Sequence, residues 1–371
     1  MSQVEQTPST EAPASAEVPA SAEVPASVTP LAPPSHGPLA ARVRPRRGVR
    51  VLIAALCVLA LIVGITDGVV SLLNRTIGSS TAPSVARHTS PTPAAQPTTP
   101  PAPLPPVPAP TARAAILLNL GTGQVYLGRQ LYAELPMAST TKIMSAVVAL
   151  TFASPDQPIT IGADASTDLV GAGASVAGLR QGDVLPLRDL LYALLVPSGD
   201  DAAIAIADAV AGSQERFVAL MNAEAALMGL AQTHYNDVHG LDTPAHFTTV
   251  RDLARLSAYA MRIPLFAQIV RTAKYTVLAT ADHHSYVWNT TDRMLTDLPY
   301  QGILGIKTGF TGNAGACLVF AATRSQGTLL GVVLGEPDET ARFTDAARLL
   351  DWGFVLAAQP PGSVPSWWSA I

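Results

Sequence analysis

Lysine is nearly absent from this 371-residue chain: of 23 Lys and Arg residues, only Lys142, Lys274 and Lys307 are lysine. A guanidinium stays charged inside a protein, whereas a buried ammonium can give up its proton and act as a base, so the lysines mark places where arginine would not serve. Two of them belong to short hydroxyl-bearing motifs, Ser139-Thr140-Thr141-Lys142 and Lys307-Thr308-Gly309. Cysteine is scarcer still. Cys57 falls in an apolar run near the N-terminus and Cys317 in the body, which excludes a disulfide within the body. With 13% charged residues, a net charge of -4 and no basic stripe interleaved with aromatics, a nucleic-acid partner is not expected. The seven histidines show no metal-type spacing; His283-His284 after Asp282 reads as a polar loop, and neither a metal nor an organic cofactor is expected.

Proline divides the chain. Residues 1–113 hold 20 of the 32 prolines, so the folded body is expected to start near Arg113. Residues 1–50 are Ala/Pro/Ser/Glu-rich with a basic end and have too little apolar surface to offset their ordering entropy, which predicts a disordered tail. Arg42, Arg44, Arg46, Arg47 and Arg50 then precede Val51–Ile65, apolar apart from Gly64, and the pattern continues weakly to Leu73. At ~1.5 Å per residue, 51–73 is long enough to cross a ~30 Å hydrocarbon core. The arginines ahead of it put the N-terminus in the cytoplasm and the body outside. The rival is a cleaved signal peptide, but no small-residue cleavage site follows directly. Residues 74–112 suit a semi-extended Pro/Thr/Ser-rich spacer, 113–358 the catalytic domain and 359–371 a C-terminal tail.

Within the body, Ala114–Leu120 and Gln124–Gly128 read as strands joined by a Gly-containing turn. Ile143, Met144, Val147, Val148 and Leu150 repeat at helical spacing, which starts a helix near Ala138 or Ser139 and sets Ser139 and Lys142 on one face of its first turn. Leu187–Val196 after Pro186, and Asp201–Ala211 before Gly212, read as two helices joined tightly through Pro197-Ser198-Gly199-Asp200. Thr249-Val250-Arg251-Asp252 has capping-box spacing. Ile303–Thr308, Ala316–Thr323 and Thr328–Leu334 are strand-like. Strands at both ends and helices between them predict an α+β fold, one sheet built from both termini with an inserted helical lobe.

A serine hydroxyl is a poor nucleophile until a neighbour removes its proton, and lysine can do so only where burial or a second cation depresses its pKa. Ser139 and Lys142 have the spacing for that pair, Lys307 the charge for the second cation and for an anionic substrate, and Ser198 the hydroxyl for a proton relay. The order Ser-x-x-Lys, Ser-Gly-Asp after a helix, then Lys-Thr-Gly on a strand is far more specific than any one motif. His239, Lys274, Cys317 and Glu134 read as structural or surface residues.

Pro136 to Met144 resembles the active-site signature of the penicillin-binding D-alanyl-D-alanine carboxypeptidases, peptidase family S11. Pro197-Ser198-Gly199-Asp200-Asp201-Ala202-Ala203, His239-Gly240-Leu241 and Gly305-Ile306-Lys307-Thr308-Gly309-Phe310-Thr311 resemble family blocks in the same order. The resemblance implies a five-stranded antiparallel sheet flanked by helices, a serine acyl-enzyme mechanism on the stem peptides of peptidoglycan, and β-lactams as covalent inhibitors. It implies Ser139 as nucleophile, Lys142 as base, Ser198 as proton shuttle, Lys307 and Thr308 as carboxylate holders, and the N–H groups of Ser139 and Phe310 as oxyanion hole. Gly309 would let the strand approach the substrate. Asp200 departs from the family's usual asparagine; its carboxylate should raise the pKa of Lys142. A D,D-endopeptidase, a non-catalytic wall- or β-lactam-binding sensor and a class A β-lactamase are the alternatives. Against the last, no Glu-x-x-Leu-Asn occurs between Ser198 and Lys307.

Overall fold

The computed structural model describes residues 104–166 and 173–360. The N-terminal tail, the apolar run 51–73, most of the spacer and residues 361–371 lie outside the described residues. Among the described residues no helix is long and apolar enough to cross a membrane.

Among the described residues, nine strands and seven α-helices follow in chain order: β1 (Ala114–Asn119), β2 (Val125–Arg129), α1 (Lys142–Phe152), β3 (Pro158–Thr160), β4 (Val184–Pro186), α2 (Leu187–Leu195), α3 (Asp200–Ala211), α4 (Gln214–Leu227), α5 (Val250–Ala260), α6 (Pro264–Ile269), β5 (Lys274–Val277), β6 (Tyr286–Asn289), β7 (Ile303–Thr311), β8 (Gly315–Arg324), β9 (Gly327–Glu336) and α7 (Ala341–Ala357). The main sheet is antiparallel in the order β2-β1-β9-β8-β7, so β7 is an edge strand. This is the five-stranded sheet built from both ends of the body. The helices α1 to α6 come from the middle of the sequence.

Both faces of the sheet are covered, which is why its strands read as continuous apolar runs rather than alternating ones. Ile116, Val319 and Val332 face the core shared with the helical lobe, while Leu117, Phe320 and Val333 face a second core under α7. Gly353 lets α7 sit directly on the sheet, since a Cβ there would come 2.6 Å from Leu117 Cδ2. Helix α1 runs through the larger core and is buried from Lys142 to Ala149, with no exposed face over those two turns.

Local signals explain the ends of the lobe helices. Thr249 caps α5 by accepting from Asp252 N–H at 3.1 Å, as the capping-box spacing predicts. Gly212 ends α3 at φ +80°, a left-handed conformation that costs glycine little. Two elements differ from expectation. Ala138–Thr141 forms a 3-10 turn and the α-helix starts only at Lys142, so Ser139 precedes the helix. The fold also starts ahead of Arg113: Ala112 is fully buried, and Thr111 donates from its N–H to Asp345 and from its hydroxyl to Glu336, both at 2.5 Å.

Candidate active site

Three segments distant in sequence meet at the edge of the sheet, the third of them the edge strand itself. The first is the 3-10 turn carrying Ser139. Its entry residue Ala138 has φ +48°, and the hydroxyls of Thr140 and Thr141 donate to the carbonyls of Met137 (2.6 Å) and Ala138 (2.8 Å). Those bonds wind the turn tightly, so Ser139 stays half-buried above Lys142 while Thr140 and Thr141 are wholly buried. Lys142 Nζ lies 2.7 Å from Ser139 Oγ.

The second segment is the α2–α3 connection. Ser198 has φ +69°, a region few residues other than glycine adopt, and its buried hydroxyl has no partner among the described residues. Strain and an unpaired hydroxyl at one residue are costly, and they cluster at functional sites. Asp200 follows at the start of α3, with Oδ1 2.5 Å from Lys142 Nζ. Its neighbour Asp201 turns the other way and accepts from the N–H groups of Ala177, Gly178 and Leu179, tying a loop beside the site.

The third segment is β7. Lys307 is 1% exposed, and its ammonium donates to Thr308 O at 2.9 Å. Thr308 Oγ1 is 2.5 Å from Thr291 Oγ1. Gly309 passes so close to the nucleophile turn that a Cβ would come 3.0 Å from Ala138 Cβ and 3.1 Å from Ser139 N. Here glycine is a condition for the strand to reach the serine. Phe310 is 53% exposed at the mouth. A cavity of about 310 Å³ is lined by Met137 and Ala138 of the turn together with Leu241, Asp242 and Asn313 among others.

All eight residues singled out from the sequence, Ser139, Lys142, Ser198, Asp200, Lys307, Thr308, Gly309 and Phe310, lie in these three segments. The electrostatics sets two expected effects against each other. Lys142 is held below the usual lysine pKa because burial outweighs Asp200, which acts in the raising direction that was expected of it. Lys307 is depressed well below the usual value, first by burial and then by the charges of Lys142 and Arg342. Both lysines thus give up a proton more readily than a free lysine does.

Arg342 and Asp292 belong to this neighbourhood and carry no motif. Arg342 on α7 donates to Gly309 O at 2.8 Å, bracing the strand from behind. Asp292 is buried, with its pKa raised to about 6 by desolvation against the pull of Lys307 and Arg342. His239 contributes its backbone, its carbonyl accepting from Lys142 Nζ at 3.0 Å. Cys317 is a buried core thiol pushed up to about 11 by burial, and Lys274 and Glu134 lie on the surface. His284 pairs with Asp183 at 2.8 Å, its side chain about half exposed.

The five-stranded sheet with its helical lobe is the fold of penicillin-binding DD-peptidases, as solved structures show. The Streptomyces K15 DD-transpeptidase matches with a TM-score of 0.63 at 35% identity, covering 67% of this chain and 98% of that one. A family model described as D-alanyl-D-alanine carboxypeptidase matches residues 100–338, and the chain belongs to that family, peptidase family S11. Among curated relatives, the D-alanyl-D-alanine carboxypeptidase of Streptomyces sp. strain K15 is 36% identical over 251 residues, 64% of this chain and 86% of its own length. DacC of Escherichia coli K12 is 36% identical over 253 residues, 66% of this chain and 61% of its own length. DacB2 of Mycobacterium tuberculosis is 36% identical over 266 residues, 70% of this chain and 88% of its own length.

Proposed function

We propose that this chain is a serine-type D-Ala-D-Ala carboxypeptidase that trims the terminal D-alanine from peptidoglycan stem pentapeptides. The observation that carries this is the 2.7 Å approach of a buried lysine amine, depressed in pKa, to the hydroxyl of the half-buried Ser139. Lys142 takes the proton as Ser139 Oγ attacks the carbonyl between the two D-alanines. The oxyanion forms beside the N–H groups of Ser139 and Phe310, each donor contributing about 3–4 kcal/mol to the transition state. Ser198 passes the proton to the leaving D-alanine nitrogen. Water then attacks the acyl ester, returning Ser139 and releasing the tetrapeptide. Lys307 and Thr308 hold the terminal carboxylate, Asp200 borders the acyl chain, and Gly309 allows the close approach.

The solved relative named a transpeptidase favours a second reading, in which an amine accepts the acyl group in place of water. Both share the acyl-enzyme. β-Lactams trap it covalently.

The full-length chain, incubated with a fluorescent penicillin and then with a pentapeptide ending in D-Ala-D-Ala, with and without a peptide amine, tests both. Labelling at Ser139 with D-alanine release is expected, and Ser139→Ala should abolish labelling. Labelling without release points to a sensor, and rapid loss of the label to a β-lactamase. A crosslinked dimer as the preferred substrate points to an endopeptidase.

Residues 51–73 serve as a membrane anchor with 74–112 as spacer and the catalytic domain outside the cytoplasm, on the length of the apolar run and the arginines before it. Fractionation at uncut mass with membranes, and activity of a reporter fused after Ile371 outside the cell, are the expected results. A soluble form cut after the apolar run would sink the anchor.

A further inference from the structure

A loop outside the three segments grips the nucleophile turn in several places. Ser145 Oγ on α1 donates to Val238 O at 2.6 Å, and Lys142 Nζ donates to His239 O at 3.0 Å. Asn236 N–H donates to His246 Nδ1 at 3.0 Å, which leaves the ring proton on Nε2, 2.7 Å from Thr141 Oγ1. The Thr141 hydroxyl then donates to Ala138 O. The residues before and after Ser139 are thus fastened to one loop.

The conformation of that loop at His239 is set by Asp237. Its Oδ1 accepts from the N–H groups of His239 (2.9 Å) and Gly240 (2.5 Å), closing a turn whose next residue, Gly240 at φ +101°, packs where a Cβ would lie 2.0 Å from Ala138 O. The His239 carbonyl therefore has little freedom to move relative to Lys142.

Direction matters at this nitrogen. A neutral amine has two N–H donors and one lone pair. His239 O holds one of those donors at 3.0 Å, which limits how the amine can turn and lets its lone pair, once the proton is lost, face Ser139 Oγ 2.7 Å away. If the carbonyl moves away, a donor is released to point at Ser139 Oγ, and the amine then donates to the oxygen whose proton it has to remove.

We propose that Asp237 and His246 are positioning residues of the acylation step: Asp237 fixes the His239 carbonyl that orients Lys142, and His246 fixes the turn that carries Ser139. The proposal rests on the reading of Ser139 and Lys142 as nucleophile and base. It predicts a loss in the limiting acylation rate and none in the initial binding of the acylating ligand.

Saturable acylation by a chromogenic penicillin separates the two quantities. For Asp237→Ala the limiting rate should fall about 10²-fold, the scale of a small misplacement of reacting groups, with the binding constant within about twofold of wild type. Asp237→Asn keeps the Oδ1 acceptor and should recover most of that loss. Thr141→Val keeps the side-chain shape while removing the hydroxyl between His246 and Ala138, and should cost on the order of tenfold in the same rate, the value of one hydrogen bond. Thr141→Val also stands as the test if Asp237→Ala does not fold. Equal losses in Asp237→Ala and Asp237→Asn, a loss residing in binding, or wild-type rates in Thr141→Val would overturn the proposal. Failure of the wild type to label at Ser139 would instead overturn the reading of the site, and the proposal with it.

Discussion

Two lysines are buried side by side in function but not in surroundings. Lys142, fully buried, is ringed by a hydroxyl, a carbonyl and a carboxylate, and the Asp200 carboxylate touches it directly. Lys307, equally buried, donates to a backbone carbonyl, and among the described residues no carboxylate lies within ion-pair distance of it. A buried cation without an anion is costly, and such a site is well suited to receive an anion from outside. The difference teaches that the same residue type is tuned for two jobs: one lysine has its partners built in, the other has its partner position open.

The strongest way to break this comparison is Lys142→Arg. It keeps a cation beside Asp200 but removes the base, and acylation by penicillin should fall by about 10²-fold or more. Near-normal acylation would mean that proton removal does not depend on Lys142. Lys307→Arg keeps the cation for a carboxylate and should be milder, with about a tenfold loss that steady-state kinetics would place mainly in KM. If both arginine variants lose rate equally, the two lysines share one proton role and the division above fails.

Asp200→Asn sharpens the comparison by giving Lys142 a neutral neighbour. The carboxylate favours the ammonium, so its removal lowers the Lys142 pKa further, and the alkaline rise of the acylation rate should move to lower pH. Because the groups are coupled, the profile reports the cluster rather than one residue. An unmoved profile would show that the close pair does not govern the base.

The smallest expected effect is at Asp292, behind Lys307. Its pKa is raised from 3.8 to about 6, so the unfolded chain loses its proton first as pH rises. Stability should be unaffected below about pH 3.8, fall as pH rises towards 6, and stay lower above it. Asp292→Asn retains an acceptor for Met294 N–H and should gain on the order of 1–3 kcal/mol at pH 8 and almost nothing at pH 4, measured by urea unfolding. A stability loss at pH 8 would mean that Asp292 is a needed counter-charge to Lys307 and Arg342.

Much of the site was legible in the chain because its residues sit in short contiguous motifs at local boundaries. Ser139 and Lys142 are three residues apart in one turn, Ser198 lies between two helices that Pro186 and Gly212 delimit, and Lys307 to Gly309 run along one strand. Helix α7 and the small strand pairs were not anticipated, since their placement depends on packing against the sheet and on partners distant in sequence. Arg342, Asp237, His246 and Asp292 bear no motif: Arg342 and His246 act by touching groups 33 and 105 residues away, whereas Asp237 and Asp292 bond to near neighbours and matter only because the fold brings their turns to the lysines. His239 was read as structural from its side chain, and it is the backbone carbonyl that meets Lys142.

By itself, the sequence determined the chemistry on offer, namely a serine and two lysines in a chain that otherwise uses arginine, together with the strands and helices that carry them. Periodicity, caps and glycines are local, and local physics reads directly from neighbouring residues. Only the tertiary structure decided the balance of charge: burial overrides Asp200 at Lys142, and Lys307 is left without a built-in anion. Desolvation depends on everything that surrounds a group, and those surroundings come from chain segments that the fold alone brings together.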